Sequence, residues 1–235
     1  GEYYAAGDTR PLSIVNCDNR LLANAVRLRV EPIFDAWISN MQQGFLPGRS
    51  LLSNVMEIDH AMRSTAVTES EGAGIFFDFR AAFPSLSHEC LHKVLKELPV
   101  PAWLRAMVKT LYDHNHCDLI AGGQRHPGFK MGSGIRQGCP LSPLLFALVA
   151  DLILRRLERK LEGAVIRAYA DDVAIVVKDL TAAMPLLLET SARFGTFSGL
   201  QLNMRKTYFV PLGEATLEAT EAPIIRKWPE WAGVN

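Results

Sequence analysis

Tyr169-Ala170-Asp171-Asp172 sets two adjacent carboxylates between two short β-branched runs, Ala164 to Ala168 and Val173 to Val177, where a hairpin has to turn. Neighbouring charges at the end of a buried strand are costly to desolvate without a counter-ion. Carboxylate oxygens are the donors a hard divalent cation such as Mg²⁺ prefers. Upstream, Asp78 interrupts the apolar run Ile75 to Phe79, expected as a strand, and an acid inside such a run should face a cation or a cavity. Three carboxylates suffice to hold two divalent ions roughly 3.5–4 Å apart for in-line displacement at phosphorus. One ion then lowers the pKa of an attacking hydroxyl while the other stabilises a leaving pyrophosphate. For the Asp-Asp dipeptide alone, a solvated acidic turn is the simpler alternative.

The chain around these acids has 235 residues, enough to bury a core in one lobed domain or two closely joined subdomains. Lys+Arg and Asp+Glu stand at 25 each, so net charge announces no polyanion partner and nucleic acid has to be met by local arrangement. The longest apolar run, Leu144 to Leu154, is too short to span a bilayer and is broken by Asp151, so no membrane partner is expected. No basic-then-apolar signal opens the sequence. Cys17, Cys90, Cys117 and Cys139 lack paired spacing, which fits reduced thiols in an intracellular protein. Asp113-His114-Asn115-His116-Cys117 has metal-binding residue types but no second ligand pair, and a polar loop is expected there.

Apolar spacing predicts helices over Arg20 to Phe34 and Leu51 to Met62. Ser87 caps a helix to about Leu98, with Glu89 in its first turn and Pro99 and Pro101 beyond its end. A helix over Trp103 to Tyr112 follows, then a hairpin pairing Asp118–Ala121 with Phe129–Met131 through a somewhat long turn. A buried helix over Ser142 to Leu161 precedes the acidic hairpin. The last helix shows one apolar face from Ala183 to Phe197 and stops at Gly199. The class is α+β, with strands holding the acids and helices packed behind them.

Phe77-Asp78-Phe79-Arg80-Ala81-Ala82-Phe83, Gly134-Ile135-Arg136-Gln137-Gly138-Cys139-Pro140-Leu141-Ser142-Pro143 and Tyr169-Ala170-Asp171-Asp172 stand in the order, and at about the spacing, of reverse transcriptase palm motifs. Arg10-Pro11-Leu12-Ser13 with Gln42-Gln43-Gly44-Phe45-Leu46-Pro47-Gly48-Arg49-Ser50 resembles the fingers motifs, and Gly199 to Lys206 resembles the segment after the acidic hairpin. Over about Arg10 to Val210 the chain resembles the reverse transcriptase domain of a non-LTR (LINE-type) retrotransposon. The resemblance implies a right-hand polymerase palm and fingers, an antiparallel sheet backed by helices with the thumb absent. Fingers would occupy 1–73, palm 74–112, a second fingers part and palm boundary 113–140, and palm again 141–235.

The resemblance also implies roles. Asp78, Asp171 and Asp172 would be the catalytic metal carboxylates, with the backbone carbonyl of Phe79 as a further ligand, for two Mg²⁺ ions or Mn²⁺ in their place. Phe83 matches the bulky gate beneath the incoming sugar, with core packing as its plainer role. Gln137 and Gly138 would line the nucleotide and template pocket, although a glycine-containing turn can also simply start the next helix. Lys206 matches the proton donor to departing pyrophosphate, or is a solvated lysine. Arg20, Arg29 and Arg49 would contact triphosphate or template phosphates, or are surface arginines; Arg20 stands where relatives often carry lysine. Arg155, Arg156, Arg159 and Lys160 form a basic helix end that dipole pairing explains as well as nucleic acid does. Pro84 departs from the family, which commonly carries a second acid there.

The expected activity is that of an RNA-directed DNA polymerase core using an RNA template, a DNA primer and dNTP, within the remainder of a larger polyprotein. Its location would be intracellular, in the nucleus for a eukaryotic retroelement, with any nicking activity outside this chain. The alternatives are an inactive polymerase-derived nucleic-acid-binding scaffold and a group II intron maturase-type reverse transcriptase. A viral RNA-dependent RNA polymerase is disfavoured by Phe83 and the Tyr-Ala-Asp-Asp turn.

Overall fold

A computed structural model describes residues 15–113 and 115–213; the Arg10–Ser13 motif and His114 lie outside the described residues. In chain order the elements are α1 (Cys17–Trp37), α2 (Leu51–Thr68), β1 (Ala73–Phe77), α3 (Ala82–Ser85), α4 (His88–Glu97) and α5 (Ala102–Tyr112). The hairpin β2 (His116–Ala121) and β3 (Gln124–Lys130) comes next, then α6 (Ser142–Lys160), β4 (Val165–Tyr169), β5 (Asp172–Val177) and α7 (Leu180–Ser198). A 3₁₀ turn (Met204–Lys206) and β6 (Tyr208–Pro211) complete the description.

β1 pairs antiparallel with both β5 and β6, and β5 with β4, giving the strand order β4-β5-β1-β6. Ala73, Gly74, Ile75 and Phe77 of β1 are all buried, as a central strand with β-branched and aromatic residues requires. α6 is the hub of the core. Twelve of its residues are buried, including Phe146, Val149 and Ile153, and α7, α1, α4 and β4 pack on it. No described helix is long and apolar enough to cross a membrane.

Local chemistry sets the element ends. Ser87 Oγ accepts from the Cys90 N–H at 3.2 Å, capping α4 as its sequence predicts. Asp179 Oδ1 accepts from the Ala182 N–H at 2.9 Å, so α7 begins three residues before its apolar face becomes evident. Three expectations need correction. Asp78 does not lie inside β1 but directly follows its last residue, Phe77. The β2–β3 turn is tight, because Gly122 and Gly123 both take positive φ (58° and 75°), the backbone a two-residue hairpin turn demands. The extra residue is absorbed by a register shift between Cys117 and Leu119, and His116 and Cys117 open β2 instead of a polar loop.

Candidate functional site

Register brings the acids together. Phe77 faces Val173 across β1 and β5, and Tyr169 faces Asp172 across β4 and β5. Continuing the first ladder by one residue lays Asp78 beside Asp172, with Asp171 in the turn above both. On the other flank, the Asn203 N–H donates to the Asp78 carbonyl and the Arg80 N–H to the Gln201 carbonyl, each at 2.8 Å. These bonds bracket a Phe79–Leu202 bridge, so Phe79 turns its own N–H and C=O the other way, towards the acidic turn. The Phe79 ring is buried in the core against Phe77 and Phe194, leaving only its backbone for the site.

The same flank delivers Lys206, whose Nζ lies 3.4 Å from Asp78 Oδ2. Asp78 Oδ1 is buried without a hydrogen-bond partner. Burial pushes the Asp171 carboxyl above the usual carboxylate range; its own backbone N–H pulls it back, while the charges of Asp78 and Asp172 add to the rise. Asp172 is also raised, by burial and then by Asp78, against the opposing pull of the Lys206 ammonium. Among the described residues no three His, Cys, Asp or Glu side chains close into a ready-made ion cage. An orphaned buried oxygen, two carboxyls pushed up by burial and repulsion, and a carbonyl turned their way form an all-oxygen donor set that fits a hard divalent ion. Asp78, Asp172 and Lys206 open onto a cavity of about 620 Å³, whose far wall is Leu51, Val55, Ile58 and Met62 of α2.

Two other motifs meet at one edge of the site. Phe83, half-buried in α3, stacks on Phe146 with centroids 5.0 Å apart and planes at 10°, and meets Phe45 edge-on at 6.0 Å. Its carbonyl accepts from the Ile135 N–H at 2.8 Å, and the Gly134 N–H donates to Leu86 O at 2.7 Å, docking the Gly134–Cys139 loop on α3. Gln137 is half-buried and Gly138 exposed in that loop. Arg136 ties its far side to α5 through the Leu111 carbonyl and Asn115 Oδ1, both at 2.7 Å.

The arginines do not join this cluster. Arg20 and Arg29 are exposed on α1, and no hydrogen bond or ion pair among the described residues links them to the acids. Arg49 is corrected outright. Its side chain is only 10% exposed, and all three guanidinium nitrogens are occupied by Asp35 Oδ1 and the carbonyls of Asp35, Ile38, Ser39 and Gln42. It organises the loop between α1 and α2 and presents no free face to a phosphate. Arg155 pairs with Asp151 and Lys160 with Glu189, so the basic end of α6 is partly spent on intramolecular pairs.

Gln42, in the sequence only a member of the fingers motif with no role of its own, belongs to the site. It is fully buried; its Oε1 accepts from the Ala170 N–H at 2.9 Å and the Gly44 N–H at 2.8 Å, and its Nε2 donates to the Ala170 carbonyl at 3.0 Å. Asn54 Nδ2 adds a bond to the Ala168 carbonyl at 2.9 Å. Neither residue falls on an apolar periodicity, and a buried amide reads as surface polarity until its partners are known.

A model of the reverse transcriptase (RNA-dependent DNA polymerase) family matches residues 4–221. Among curated proteins, the transposon TX1 149 kDa protein of Xenopus laevis is 29% identical over 73% of this chain and 14% of its own length. The Pol polyprotein from the type-2 retrotransposable element R2DM of Drosophila melanogaster is 28% identical over 97% of this chain and 23% of its own. The chain thus spans less than a quarter of the length of either relative. Among solved structures, apo telomerase from Candida tropicalis superposes with a TM-score of 0.60 at 13% identity, over 81% of this chain and 36% of that one, a likeness of fold.

Proposed function

The chain belongs to the reverse transcriptase (RNA-dependent DNA polymerase) family, and we propose that it joins dNTP to a primer 3′-hydroxyl on an RNA template, as the polymerase core of a non-LTR retroelement polyprotein. The observation that carries this reading is the ladder register that lays Asp78 beside Asp172 while Asp78 Oδ1 stays buried and unpartnered. The primer 3′-hydroxyl gives up its proton to solvent as O3′ attacks the α-phosphorus, and pyrophosphate leaves by in-line cleavage of the α–β bridging bond. The family implies dependence on divalent metal; Mg²⁺ is the ion proposed, with Mn²⁺ as a substitute, held by Asp78, Asp171, Asp172 and the Phe79 carbonyl. When bound, such ions supply charge neutralisation at the attacking and leaving oxygens.

The remaining work falls to this chain's own groups. Lys206 Nζ, which lines the cavity beside Asp78 Oδ2, would protonate departing pyrophosphate. Phe83, backed by Phe146 and flanked by Phe45, cannot retreat, so its ring excludes a 2′-hydroxyl from the sugar site. Gln137 and Gly138, on a loop docked to the same short helix, line the adjoining nucleotide and template face. Arg20 and Arg29, exposed on α1, are proposed to meet template phosphates beyond the acid cluster.

Primer extension on an RNA template with Mg²⁺ tests the reading. Wild-type protein extends the primer, chelation of Mg²⁺ abolishes extension, and Asp171→Asn lowers the rate about a thousandfold, as loss of several kcal/mol of charge stabilisation implies. Wild-type rates in the variant overturn the metal assignment. A wild-type protein that binds primer-template without extending it is the polymerase-derived scaffold instead.

A further inference from the structure

The acidic turn is not self-sufficient. Ala170, between Tyr169 and Asp171, takes a positive φ of 59°, a conformation that costs any residue with a Cβ. It occupies the first central position of a two-residue turn, where such hairpins favour glycine. Something outside the hairpin must hold it.

The loop between α1 and α2 does so. The Ala168 N–H donates to the Met41 carbonyl at 2.7 Å and the Gln43 N–H returns to the Ala168 carbonyl at 2.8 Å, so the loop adds one parallel rung to β4. From that rung Gln42 grips Ala170 by its N–H and its carbonyl at once. Only one amide orientation satisfies these bonds, since Oε1 receives two N–H groups and Nε2 meets a carbonyl. The approach needs Gly44, because a Cβ there would stand 2.3 Å from the Ala170 nitrogen. The loop is itself anchored: Arg49 gathers its carbonyls, and the Ser39 N–H donates to buried Asp151 of α6 at 3.1 Å.

We propose that Gln42 is the positioning residue of the acidic turn, clamping the left-handed Ala170 peptide so that Asp171 is aimed at Asp78. The inference rests on the polymerase reading for its kinetic consequence and on geometry alone for its structural one. Gln42 is fully buried behind the turn and acts through Ala170. It also makes the loop before α2 a mechanical partner of the turn, so a displacement of that loop shifts Asp171.

The test separates a clamp from a mere buried amide. Gln42→Ala is expected to weaken Mn²⁺ binding, read as loss of the free-ion EPR signal, about tenfold or more. In primer extension it lowers kcat by a similar factor and leaves KM for dNTP within about threefold, because the substituted group lies behind the turn. Adding Ala170→Gly to Gln42→Ala restores most of the Mn²⁺ affinity and kcat, since glycine adopts positive φ without a clamp. Gln42→Glu, which keeps both acceptor roles but loses the bond to the Ala170 carbonyl, falls at or below Gln42→Ala. Circular dichroism and melting confirm that each variant folds, and the rescue is read against the unrescued variant even where Gln42→Ala melts lower. Unchanged Mn²⁺ affinity in Gln42→Ala, or a loss that Ala170→Gly does not repair, overturns the clamp. A wild-type protein that fails to extend primer while the Mn²⁺ pattern holds overturns the polymerase reading and leaves the clamp standing.

Discussion

Replacing Arg49 with lysine keeps the charge and removes the fork, which makes it a sharp probe of what holds the loop before α2. The guanidinium serves five acceptors: Asp35 Oδ1 and the carbonyls of Asp35, Ile38, Ser39 and Gln42, at 2.5–3.0 Å. A lysine has three donors on a tetrahedral head, so at least two acceptors in a largely buried site lose their partner. At about 1–1.5 kcal/mol for each unsatisfied group, Arg49→Lys costs about 2–3 kcal/mol. For a chain of this size that lowers Tm by roughly 5–10 °C. Thermal melting by circular dichroism, with dNTP titration in primer extension alongside, is the assay. A triphosphate-binding arginine behaves oppositely: KM for dNTP rises and Tm holds. A variant that melts within about 2 °C of wild type with a raised dNTP KM refutes the scaffold role and reinstates the phosphate contact.

Other outcomes follow from the same geometry. Phe83→Val opens space beneath the sugar and raises ribonucleotide incorporation about tenfold or more, at a stability cost of about 1–2 kcal/mol for the lost Phe146 stack; unchanged sugar discrimination removes the gate. Asp171 is raised in the folded state by burial and neighbouring acids, so its contribution to stability is fully present below the ordinary carboxylate range and is lost as pH rises through the raised value. Metal-free melting curves should therefore fall across that window for wild type and flatten for Asp171→Asn, whose Tm also stops responding to added Mg²⁺; equal pH slopes and equal Mg²⁺ responses count against the repulsion described. Tyr112→Phe strands Ser142 Oγ, the hydroxyl 3.1 Å from the Tyr112 hydroxyl, which burial pushes up to about 12. A loss of about 1 kcal/mol in denaturant midpoint is expected, and an unchanged midpoint shows that Ser142 finds another partner.

Much of this arrangement was legible along the chain because it is local. Ser87 caps its helix, Gly199 closes the last one, and the acidic hairpin follows from β-branched runs flanking two acids. The helix and strand periods of apolar residues marked α6 and β5 with small errors at the ends, since end residues answer to caps and not to burial. Asp171 and Asp172 were conspicuous for a similar reason: two charges against apolar strands contradict their own neighbourhood. That conflict is visible without coordinates.

Partnership was not visible. Gln42 and Ala170 are separated by 128 positions, and only the parallel rung between their segments brings an amide to a strained peptide. Arg49 carries the same charge whether it meets a phosphate or five protein oxygens; the closing of the loop around it decides between them. Residue types and spacing alone marked the acidic pair and the family motifs, because each stands out within a short stretch. Tertiary structure alone decided which polar groups support that pair, because a hydrogen bond depends on ångström separations between segments that sequence distance does not encode.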